Sequence, residues 1–509
     1  MNGPLPTSVV AHDVPSATRL PRLLPTSGRE DLTAHVARFG ALAPVAQAPS
    51  RGRHTQARSQ ARSQARSQAR ARIRTRVRDE DAIRGEGLIK SVELAGLVGR
   101  GGAAFPTAQK LRAVAEAVGR GRGSALVVVN AMEGEPTSAK DRVLLQLAPH
   151  LVLDGAALVA DAVGAAEVVV CIPRTDDTVR WAGADSPGGR TGSGPDLDNP
   201  GSDLEFAAWS VAAAIEERGS SEWDSVPMTI ARPPERFISG ESSALARWLG
   251  GGPALPVFSR VRLAERGVNG VPTLLDNAET LAHIALIARY GAGWFRALGT
   301  EADPGTALVT VSGALARPGV AEVPLGATLG DLIAAAGGPS EPLQAVLLGG
   351  YGGTWVPIEE ALGLPILHRA SDGRPSIGPG IVVALPVEAC GLAETARVAR
   401  YMAGEGAGQC GPCVYGLPAL AGAVDALARP VSLATASAAV EQIGRWGAQI
   451  EGRGACHHPD GVVRFVRSAM DAFRDDVLQH AAGMPCAHTR RTPVLPVPGE
   501  RRARDGSRL

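Results

Sequence analysis

The stretch Ala125-Leu-Val-Val-Val129, followed directly by Asn130-Ala-Met-Glu-Gly-Glu-Pro136, decides the fold class of this 509-residue chain. Five consecutive apolar residues, three of them β-branched, predict a short strand that is buried on both faces. A second run of this kind, residues 167–172, follows a helical pattern over 141–163. Strands that alternate with helices are typical of layered α/β folds, so we predict that class here.

The acidic loop after the first strand is a candidate ligand site. Ligands of open α/β sheets bind beyond the carboxyl ends of the strands. Asn130, Glu133 and Glu135 lie there, and carboxylates in such a place can accept hydrogen bonds from sugar hydroxyls or ring N–H groups. The alternative is an ordinary solvated loop.

A glycine-rich turn, Gly99-Arg-Gly-Gly102, lies upstream between two helical patterns, residues 89–98 and 106–118. Glycines let backbone N–H groups approach an anion, and the following helix directs its positive end toward the turn. Lys110 is one of only three lysines and can add charge at a phosphate. The alternative is an ordinary turn, because the dinucleotide fingerprint needs a preceding strand and a helix stands there instead.

Downstream of this region the pattern changes twice. A helix is predicted over residues 276–290, and then a small β-rich domain with one helix begins near residue 305. The last block, from about residue 390 to 481, is predicted to be mostly helical.

Composition narrows the classes of partner and compartment. The formal net charge is only +1, which gives no reason to expect a nucleic acid as partner. We find no uncharged apolar stretch of about 18 residues and no signal-peptide pattern, so we predict no integral membrane segment and a cytoplasmic protein. Residues 51–78 hold ten arginines and no acid, which predicts a disordered arm, although such a block could also bind an acidic partner, a nucleic acid or a membrane surface.

The cysteines suggest a metal or cluster site. Cys410-Gly-Pro-Cys413 places two thiols close together, and Cys456 can supply a third. A redox dithiol and incidental cysteines are the alternatives. We expect Cys390 to be a buried core cysteine.

Together these motifs resemble the flavoprotein subunit of respiratory complex I, a module also found in NAD-linked formate dehydrogenases and hydrogenases. The family stretch GRGGAGFPTGxKW is matched by Gly99-Arg-Gly-Gly-Ala-Ala-Phe-Pro-Thr-Ala-Gln-Lys-Leu111. NADEGEPGTFKDR is matched by Asn130-Ala-Met-Glu-Gly-Glu-Pro-Thr-Ser-Ala-Lys-Asp-Arg142. GEE is matched by Gly240-Glu241-Ser242, and PTxxNNVETL by Pro272-Thr-Leu-Leu-Asp-Asn-Ala-Glu-Thr-Leu281.

The resemblance implies a Rossmann-like FMN-binding domain, a small ubiquitin-like β-grasp domain and a C-terminal helical bundle with an iron–sulfur motif. The domains expected are an arginine-rich disordered arm (1–78), the FMN-binding domain (79–300), the β-grasp domain, similar to soluble-ligand-binding domains (301–385), the helical iron–sulfur domain (386–482) and a disordered tail (483–509).

The resemblance also implies a set of cofactor contacts and no catalytic side chain. The expected FMN-binding residues are Gly99, Arg100, Gly101, Gly102, Lys110, Asn130, Glu133, Gly240, Glu241, Asp276 and Asn277, with Phe105 and Glu135 expected at NAD(H). Several positions depart from the family: Met132 replaces an acid, Asp276 an asparagine, Ser242 a glutamate, Phe237 a tyrosine and Ala113 an aromatic residue. The family's Lys-Pro-Pro-Phe-Pro segment is replaced by Ser259-Arg-Val-Arg-Leu263.

The cluster motif departs from the family as well. Cys410, Cys413 and Cys456 match three of the four family cysteines, and Ala407 stands in place of the first. A [4Fe-4S] cluster normally takes four thiolates. The cluster is therefore [3Fe-4S], or it recruits His457, Cys486 or solvent as a fourth ligand, or it is absent.

These features lead to one hypothesis and two alternatives. The chain is expected to be a flavin-dependent oxidoreductase module that passes electrons from NADH or another donor through FMN to an iron–sulfur centre. The acceptor would be a redox protein such as a ferredoxin or a complex I-like subunit, which would make the chain cytoplasmic or peripheral to a membrane complex. The alternatives are an FMN relay between protein partners that does not bind NADH, and a cofactor-poor docking scaffold.

Overall fold

The structure is a computed structural model that describes residues 20–40, 85–174, 203–220, 223–369, 374–429, 432–484, 486, 488, 490 and 492–499. The arginine-rich block 51–78, which we expected to be disordered, lies outside the described residues.

Four parallel strands form the sheet of the first domain: β1 (Ala125–Asn130), β2 (Ala165–Cys171), β3 (Met228–Ala231) and β4 (Thr273–Asn277). Their order is β3-β2-β1-β4, and the register of β1 on β4 pairs Asn130 with Asn277. The predicted helix over 276–290 is therefore wrong at its start, since Asp276 and Asn277 end a strand. The strand escaped prediction because its apolar run is only two leucines long.

Helices flank this sheet: α1 (Leu32–Phe39), α2 (residues 85–95), α3 (Thr107–Gly119), α4 (Lys140–Leu147), α5 (Pro149–Val163), α6 (Asp203–Gly219), α7 (Ser242–Leu249) and α8 (Ala278–Arg296). The helical pattern over 141–163 becomes two helices, which meet at 96° where Pro149 starts α5. A proline is well suited to the first turn of a helix because it has no N–H to leave unpaired. Most of α5 is buried in the core of the domain.

The predicted disordered arm over 1–78 is wrong for residues 20–40. His35, on α1, lies 2.7 Å from the Asp154 carboxylate on α5, and both side chains are fully buried. Arg218 and Arg289 also pair with Asp154, at 2.7 and 2.5 Å. Breaking this cluster would leave uncompensated charges in the core, which is costly. The cluster therefore holds α1 onto the core.

The second domain is a five-stranded sheet of β5 (Thr306–Gly313), β6 (Gly319–Pro324), β7 (Leu343–Leu348), β8 (Thr354–Pro357) and β9 (Ile381–Pro386), in the order β6-β5-β9-β7-β8. β5 and β9 are parallel and the other pairs are antiparallel. Two short helices, α9 (Leu329–Ala335) and α10 (Ile358–Ala361), complete the domain. Thr328 starts α9 with a capping box that it forms with Asp331.

The third domain is helical, as predicted. It contains α11 (Gly391–Gly404), α12 (Leu417–Ala428), α13 (Leu433–Ile450), α14 (His458–Ala472) and α15 (Arg474–Ala481), and a π-helical turn, Pro412–Gly416, precedes α12. The predicted disordered tail over 483–509 is wrong for residues 494–496. Leu495 is buried, and the backbone N–H groups of Val494 and Leu495 donate to the Glu394 carboxylate at 3.0 and 3.1 Å.

Within the described residues, no single helix is both long and apolar enough to cross a bilayer. Only α4 and α5 taken together meet that measure, as a sharply bent pair.

The contact between α5 and α8 gives a test of the packing. A Cβ atom at Gly155 on α5 would lie 1.9 Å from the Leu281 carbonyl oxygen of α8. We expect Gly155→Ala to lower the free energy of unfolding by about 3 kcal/mol or more, because the two backbones must separate. Gly119→Ala is the matched control. It lies at the end of α3 with nothing within 4 Å, and should be neutral or stabilise by up to about 1 kcal/mol.

Denaturant titration of both variants measures the difference. Equal stability of the two variants would contradict the close approach of α5 and α8.

Candidate functional site

A cavity of about 640 Å³ lies where the three domains meet. Its floor is the carboxyl ends of β1 and β4, where the register places Asn130 beside Asn277. The second domain contributes Arg374 and the glycines near residue 350, and the third contributes His458 and Arg464. Pockets for small ligands typically measure roughly 300–1,000 Å³, so the cavity is large enough for a mononucleotide cofactor.

Eight of the thirteen predicted cofactor-binding residues line this cavity: Gly101, Gly102, Asn130, Glu133, Glu135, Gly240, Glu241 and Asn277. They come from four separate segments of the chain. The fold therefore brings together the motifs on which the resemblance rests.

The glycine-rich turn forms one wall of the cavity. Gly102 has φ +103°, which a residue with a side chain rarely adopts, and a Cβ at Gly101 would lie 3.6 Å from the Cβ of Asn277. Among the described residues, the backbone N–H groups of Gly101 and Gly102 have no hydrogen-bond partner. They remain available to an anionic or carbonyl group of a ligand.

The two asparagines are held in place by the chain itself. Asn130 donates from Nδ2 to the Gly240 carbonyl at 2.8 Å, which ties β1 to the turn before α7. Asn277 donates from Nδ2 to the Asp141 carboxylate at 2.6 Å and accepts the N–H of Glu279 at 3.0 Å. These bonds fix the amide orientations, so the floor of the cavity is rigid before any ligand binds.

A buried charge cluster lies at that floor, and two of its members, Lys140 and Asp141, line the cavity. Lys140 Nζ lies 2.9 Å from the Glu279 carboxylate and 2.8 Å from Asp141, and Arg100 Nε lies 4.0 Å from Glu279. Burial alone would raise the pKa of Glu279, but Lys140, His283 and Arg100 hold that pKa well below its usual range. Glu279 is thus a buried carboxylate anion that two cations neutralise.

Glu133 and Glu135 line the cavity and have different partners. The Glu133 carboxylate accepts the N–H groups of Asp141 and Arg142 at 2.9 and 3.0 Å, at the start of α4. Glu135 accepts the N–H of Tyr351 at 2.9 Å and the hydroxyl of Thr137 at 2.8 Å. Burial raises the pKa of Glu135 from its usual 4.5 to about 7. Glu135 therefore links the first domain to the second and changes charge near neutral pH.

Five predicted contacts do not line the cavity: Gly99, Arg100, Phe105, Lys110 and Asp276. Arg100 is fully buried and donates to the Thr306 carbonyl at 3.1 Å. Lys110 pairs with Asp276 at 3.0 Å, so the expected lysine at a ligand phosphate is instead a counter-ion for Asp276. Phe105 is 45% exposed on the outer surface.

Two further positions lie at the wall of the cavity. Met132, which replaces an acid of the family, is buried among apolar residues, and a Cβ at the cavity residue Gly240 would lie 3.1 Å from the Met132 Cβ. The Glu241 carboxylate caps α7 by accepting the N–H groups of Ser243 and Ala244 at 2.9 and 3.1 Å. Glu241 is thus partly engaged in its own helix.

The region expected to hold the dinucleotide is open and altered. Phe258 is 71% exposed, and Val257 and Val261 are about two-fifths exposed. Phe237 lines the cavity and packs against His458, with ring centroids 5.6 Å apart. It has no hydroxyl to donate.

Of the three predicted cluster cysteines, Cys413 lies in the π-helical turn, Cys410 just before that turn, and Cys456 in the loop before α14. Burial raises the pKa of Cys413 to about 11, with a further contribution from the neighbouring Cys410 thiol. Burial also raises the pKa of Cys456. The next residue, His457, lines the cavity, so Cys456 lies near the cavity wall. A Cβ at Gly406 would lie 3.3 Å from Cys413 Sγ, and the N–H of Ala407 donates to Cys413. Residue 407 therefore stands beside the cluster site with a methyl group and no thiol.

The structure bears on two residues that were expected as a fourth cluster ligand, Cys486 and His457. Cys486 is wrong for that role, because its thiol lies within 4.8 Å of Cys390 and His480 at another place in the third domain. Cys390 is likewise not the fully buried core cysteine we expected. His457 adjoins Cys456, but its side chain is fully exposed and lies 3.9 Å from Asp460.

The donor sets fit the groups that the resemblance implies. Free N–H groups on a glycine wall, fixed amides and a cavity of suitable size fit FMN, and cysteine thiolates are the usual ligands of iron–sulfur clusters. The predicted cluster site offers three thiols, one fewer than a [4Fe-4S] cluster normally takes.

Several cavity residues were missed by the reasoning from sequence. Lys140 and Asp141 lie in the motif that runs from Asn130 to Arg142. The rarity of lysine in this arginine-rich chain could have marked Lys140 as a functional residue. Arg374, His458 and Arg464 come from distant segments and carry no local signal.

Comparisons with known proteins agree with this geometry. Three family models match the chain: Nuo51 FMN-binding domain over residues 92–286, SLBB domain over 308–357, and NADH-ubiquinone oxidoreductase-F iron-sulfur binding region over 393–480. These matches confirm the predicted resemblance and the predicted fold class.

Curated relatives have related names. The NADH-quinone oxidoreductase F subunit 2 of Rhizobium meliloti is 29% identical over 411 residues, which is 78% of this chain and 90% of the relative. The corresponding F subunit of Streptomyces coelicolor is 28% identical over 80% of this chain and 85% of its own length. Among solved structures, an NAD+-reducing [NiFe]-hydrogenase in the H2-reduced state aligns with TM-score 0.65 and 28% identity. The alignment covers 79% of this chain but only 63% of the hydrogenase chain, so this chain spans less than two thirds of that protein.

The contact between Glu135 and Tyr351 gives a test of the cavity. Because burial raises the pKa of Glu135 to about 7, its contribution to stability is full below about pH 4.5 and is lost as the pH rises through 7. We expect Glu135→Gln to remove that loss, so that the difference in unfolding free energy between variant and wild type grows between pH 4.5 and 8 by at most about 3 kcal/mol. Glu360→Gln, at an exposed glutamate, is the matched control.

Chemical denaturation at several pH values measures this difference. A Glu135→Gln variant whose stability follows the wild type at every pH would contradict the raised pKa.

Proposed function

We propose that this divergent relative of the F subunits of NADH-quinone oxidoreductase is a flavin-dependent oxidoreductase module. It would pass electrons from NADH through FMN to an iron–sulfur centre and on to a protein acceptor. The observation that carries the proposal is a glycine-walled cavity at the strand ends whose lining includes His457, the residue next to the predicted cluster ligand Cys456.

The residues of the chain have definite tasks in this proposal. The N–H groups of Gly101 and Gly102 would bind the cofactor, and the fixed amides of Asn130 and Asn277 would orient it. FMN, when bound, supplies the conversion between two-electron and one-electron transfer. Cys410, Cys413 and Cys456 would hold the iron–sulfur centre.

The charge at the floor of the cavity supports binding of an anionic cofactor. Arg100 and Lys140 pair with Glu279 and Asp141, so these two carboxylates are not free to repel a phosphate. Lys110 likewise neutralises Asp276. Phosphate recognition would then depend on backbone N–H groups more than on a lysine.

The partner we propose is a redox protein, such as a ferredoxin or a complex I-like subunit. The curated relatives are named as subunits of NADH-quinone oxidoreductases, which supports assembly with other proteins. We propose a cytoplasmic location, at the periphery of a membrane complex if one is the acceptor.

A second candidate is an FMN relay between protein partners that does not use NADH. The observation that favours it is the altered dinucleotide region, where Phe105 does not line the cavity and Glu135 accepts the N–H of Tyr351. Losing one aromatic stacking contact typically costs about 0.5–1.5 kcal/mol.

The visible absorption of the anaerobically purified protein, reconstituted with FMN, separates these candidates. We expect a flavin band that bleaches when NADH is added, because the cavity accepts the cofactor and the donor reaches it. A band that bleaches only with dithionite would favour the relay. Absence of any bound flavin would overturn both and leave the docking scaffold.

The cluster site gives an independent prediction. We expect Ala407→Cys to raise the iron bound per chain toward about four and to slow cluster loss in air, because a fourth thiolate completes the usual ligand set. Iron and sulfide analysis after anaerobic reconstitution measures this. Ala434→Cys, at an exposed position on α13, adds a thiol away from the site and should leave the iron content unchanged.

An Ala407→Cys variant with wild-type iron content would contradict the placement of residue 407 beside Cys413.

A further inference from the structure

A second group of metal-ligating side chains lies in the third domain, apart from the cluster cysteines. The ligand atoms of Cys390, His480 and Cys486 all lie within 4.8 Å of one another. Cys390 stands at the start of α11, His480 in the last turn of α15, and Cys486 in the segment that follows. Three elements of the domain thus direct two sulfurs and one imidazole to the same point.

The imidazole of His480 is already prepared to bind a cation. Its Nδ1 lies 3.0 Å from the Leu427 carbonyl, which can only accept, so Nδ1 carries the proton. Nε2 then has a lone pair, which accepts the N–H of Cys486 at 3.2 Å, and a bound cation would take the place of that hydrogen bond. A histidine whose other nitrogen donates to a backbone carbonyl is the usual form of a metal ligand.

A second group of possible ligands adjoins the first and shares Cys486 with it. Asp476 and His488 each have a ligand atom within 4.8 Å of Cys486, and His488 Nε2 lies 2.8 Å from the Asp476 carboxylate. His488 Nδ1 in turn lies 2.6 Å from the Val387 carbonyl. His488 therefore orients Asp476 through one carboxylate oxygen, which leaves the second oxygen to coordinate.

We propose that Cys390, Cys486 and His480 bind a single zinc ion that fastens the segment after α15 to the start of α11, with Asp476 of the adjoining group drawn in as the fourth ligand. Two thiolates, one imidazole and one carboxylate suit tetrahedral zinc, for which ligand atoms stand about 3.3–3.8 Å apart. On binding, the two thiols release their protons to solvent as the two Zn–S bonds form, and no electron is transferred.

The proposed zinc explains why so polar a group is gathered where the C-terminal segment folds back. Beyond Cys486 the chain continues with Arg490, whose N–H donates to the Glu388 carbonyl at 2.9 Å, and reaches Leu495 in the core. A disulfide between Cys390 and Cys486 would fasten the same segment, but it would use neither the prepared imidazole nor the carboxylate. α11 leads directly to the loop at residue 407, so the zinc would also steady the helix that precedes the cluster site.

The test uses the full chain, purified anaerobically, given one equivalent of Zn²⁺ and desalted. Elemental analysis for zinc and iron together should find one zinc per chain. Cys486→Ser and Cys390→Ser should bind zinc more than about tenfold more weakly, with iron content unchanged. Cys171→Ala, at a cysteine buried in β2, is the matched control and should retain the zinc.

A measurement on the wild type covers the case in which a variant fails to fold. Zinc should protect Cys390 and Cys486 from alkylation, and a chelator should expose both, as peptide mass spectrometry can follow. Recovery of the two cysteines as a disulfide from the anaerobic protein would overturn the proposal. So would equal zinc binding by wild type and the Cys390→Ser/Cys486→Ser double variant.

Discussion

The Glu279 carboxylate is the point on which the site and the junction of the domains depend. It is fully buried, it pairs with Lys140 at 2.9 Å, and it accepts the N–H of Leu308, at the start of the second domain, at 2.9 Å. Removing one partner of such a group leaves an uncompensated buried charge, which typically costs about 3–5 kcal/mol. The Glu279 side chain at the start of α8 therefore holds both Lys140 at the cavity and the first strand of the β-rich domain.

The geometry of parallel strands then accounts for the floor of the cavity. Because β1 and β4 are adjacent and in register, Asn130 and Asn277 emerge side by side, although 147 positions separate them. Their amides bond to Gly240 and Asp141 and not to each other's side chains. A ligand thus meets a surface that is already ordered, and little side-chain entropy remains to be lost on binding.

Local patterns predicted much of the fold, and the failures have physical causes. The buried run Ala125–Asn130 and the helix over 106–118 were predicted because their signal is local. β4 was missed, since two leucines between polar residues give no periodicity, and residues 20–40 were missed because His35 is held by Asp154 on a distant helix. The motifs identified the cavity, but no pattern could show that Lys110 is engaged with Asp276 or that Cys486 lies beside Cys390. Such pairings depend on tertiary contacts that a window of sequence does not contain.

The pairing of Lys110 with Asp276 also explains how a changed motif can keep its shape. An aspartate at the end of β4, where the family has asparagine, adds a negative charge close to the carboxyl edge of the sheet. The side chain is almost fully buried, so without a counter-ion it would destabilise the strand end. Lys110 supplies that counter-ion from α3, and in doing so it is withdrawn from the cavity. Lys110 is thus engaged at the end of β4, and the glycine turn that lines the cavity presents its backbone there, with φ +103° at Gly102.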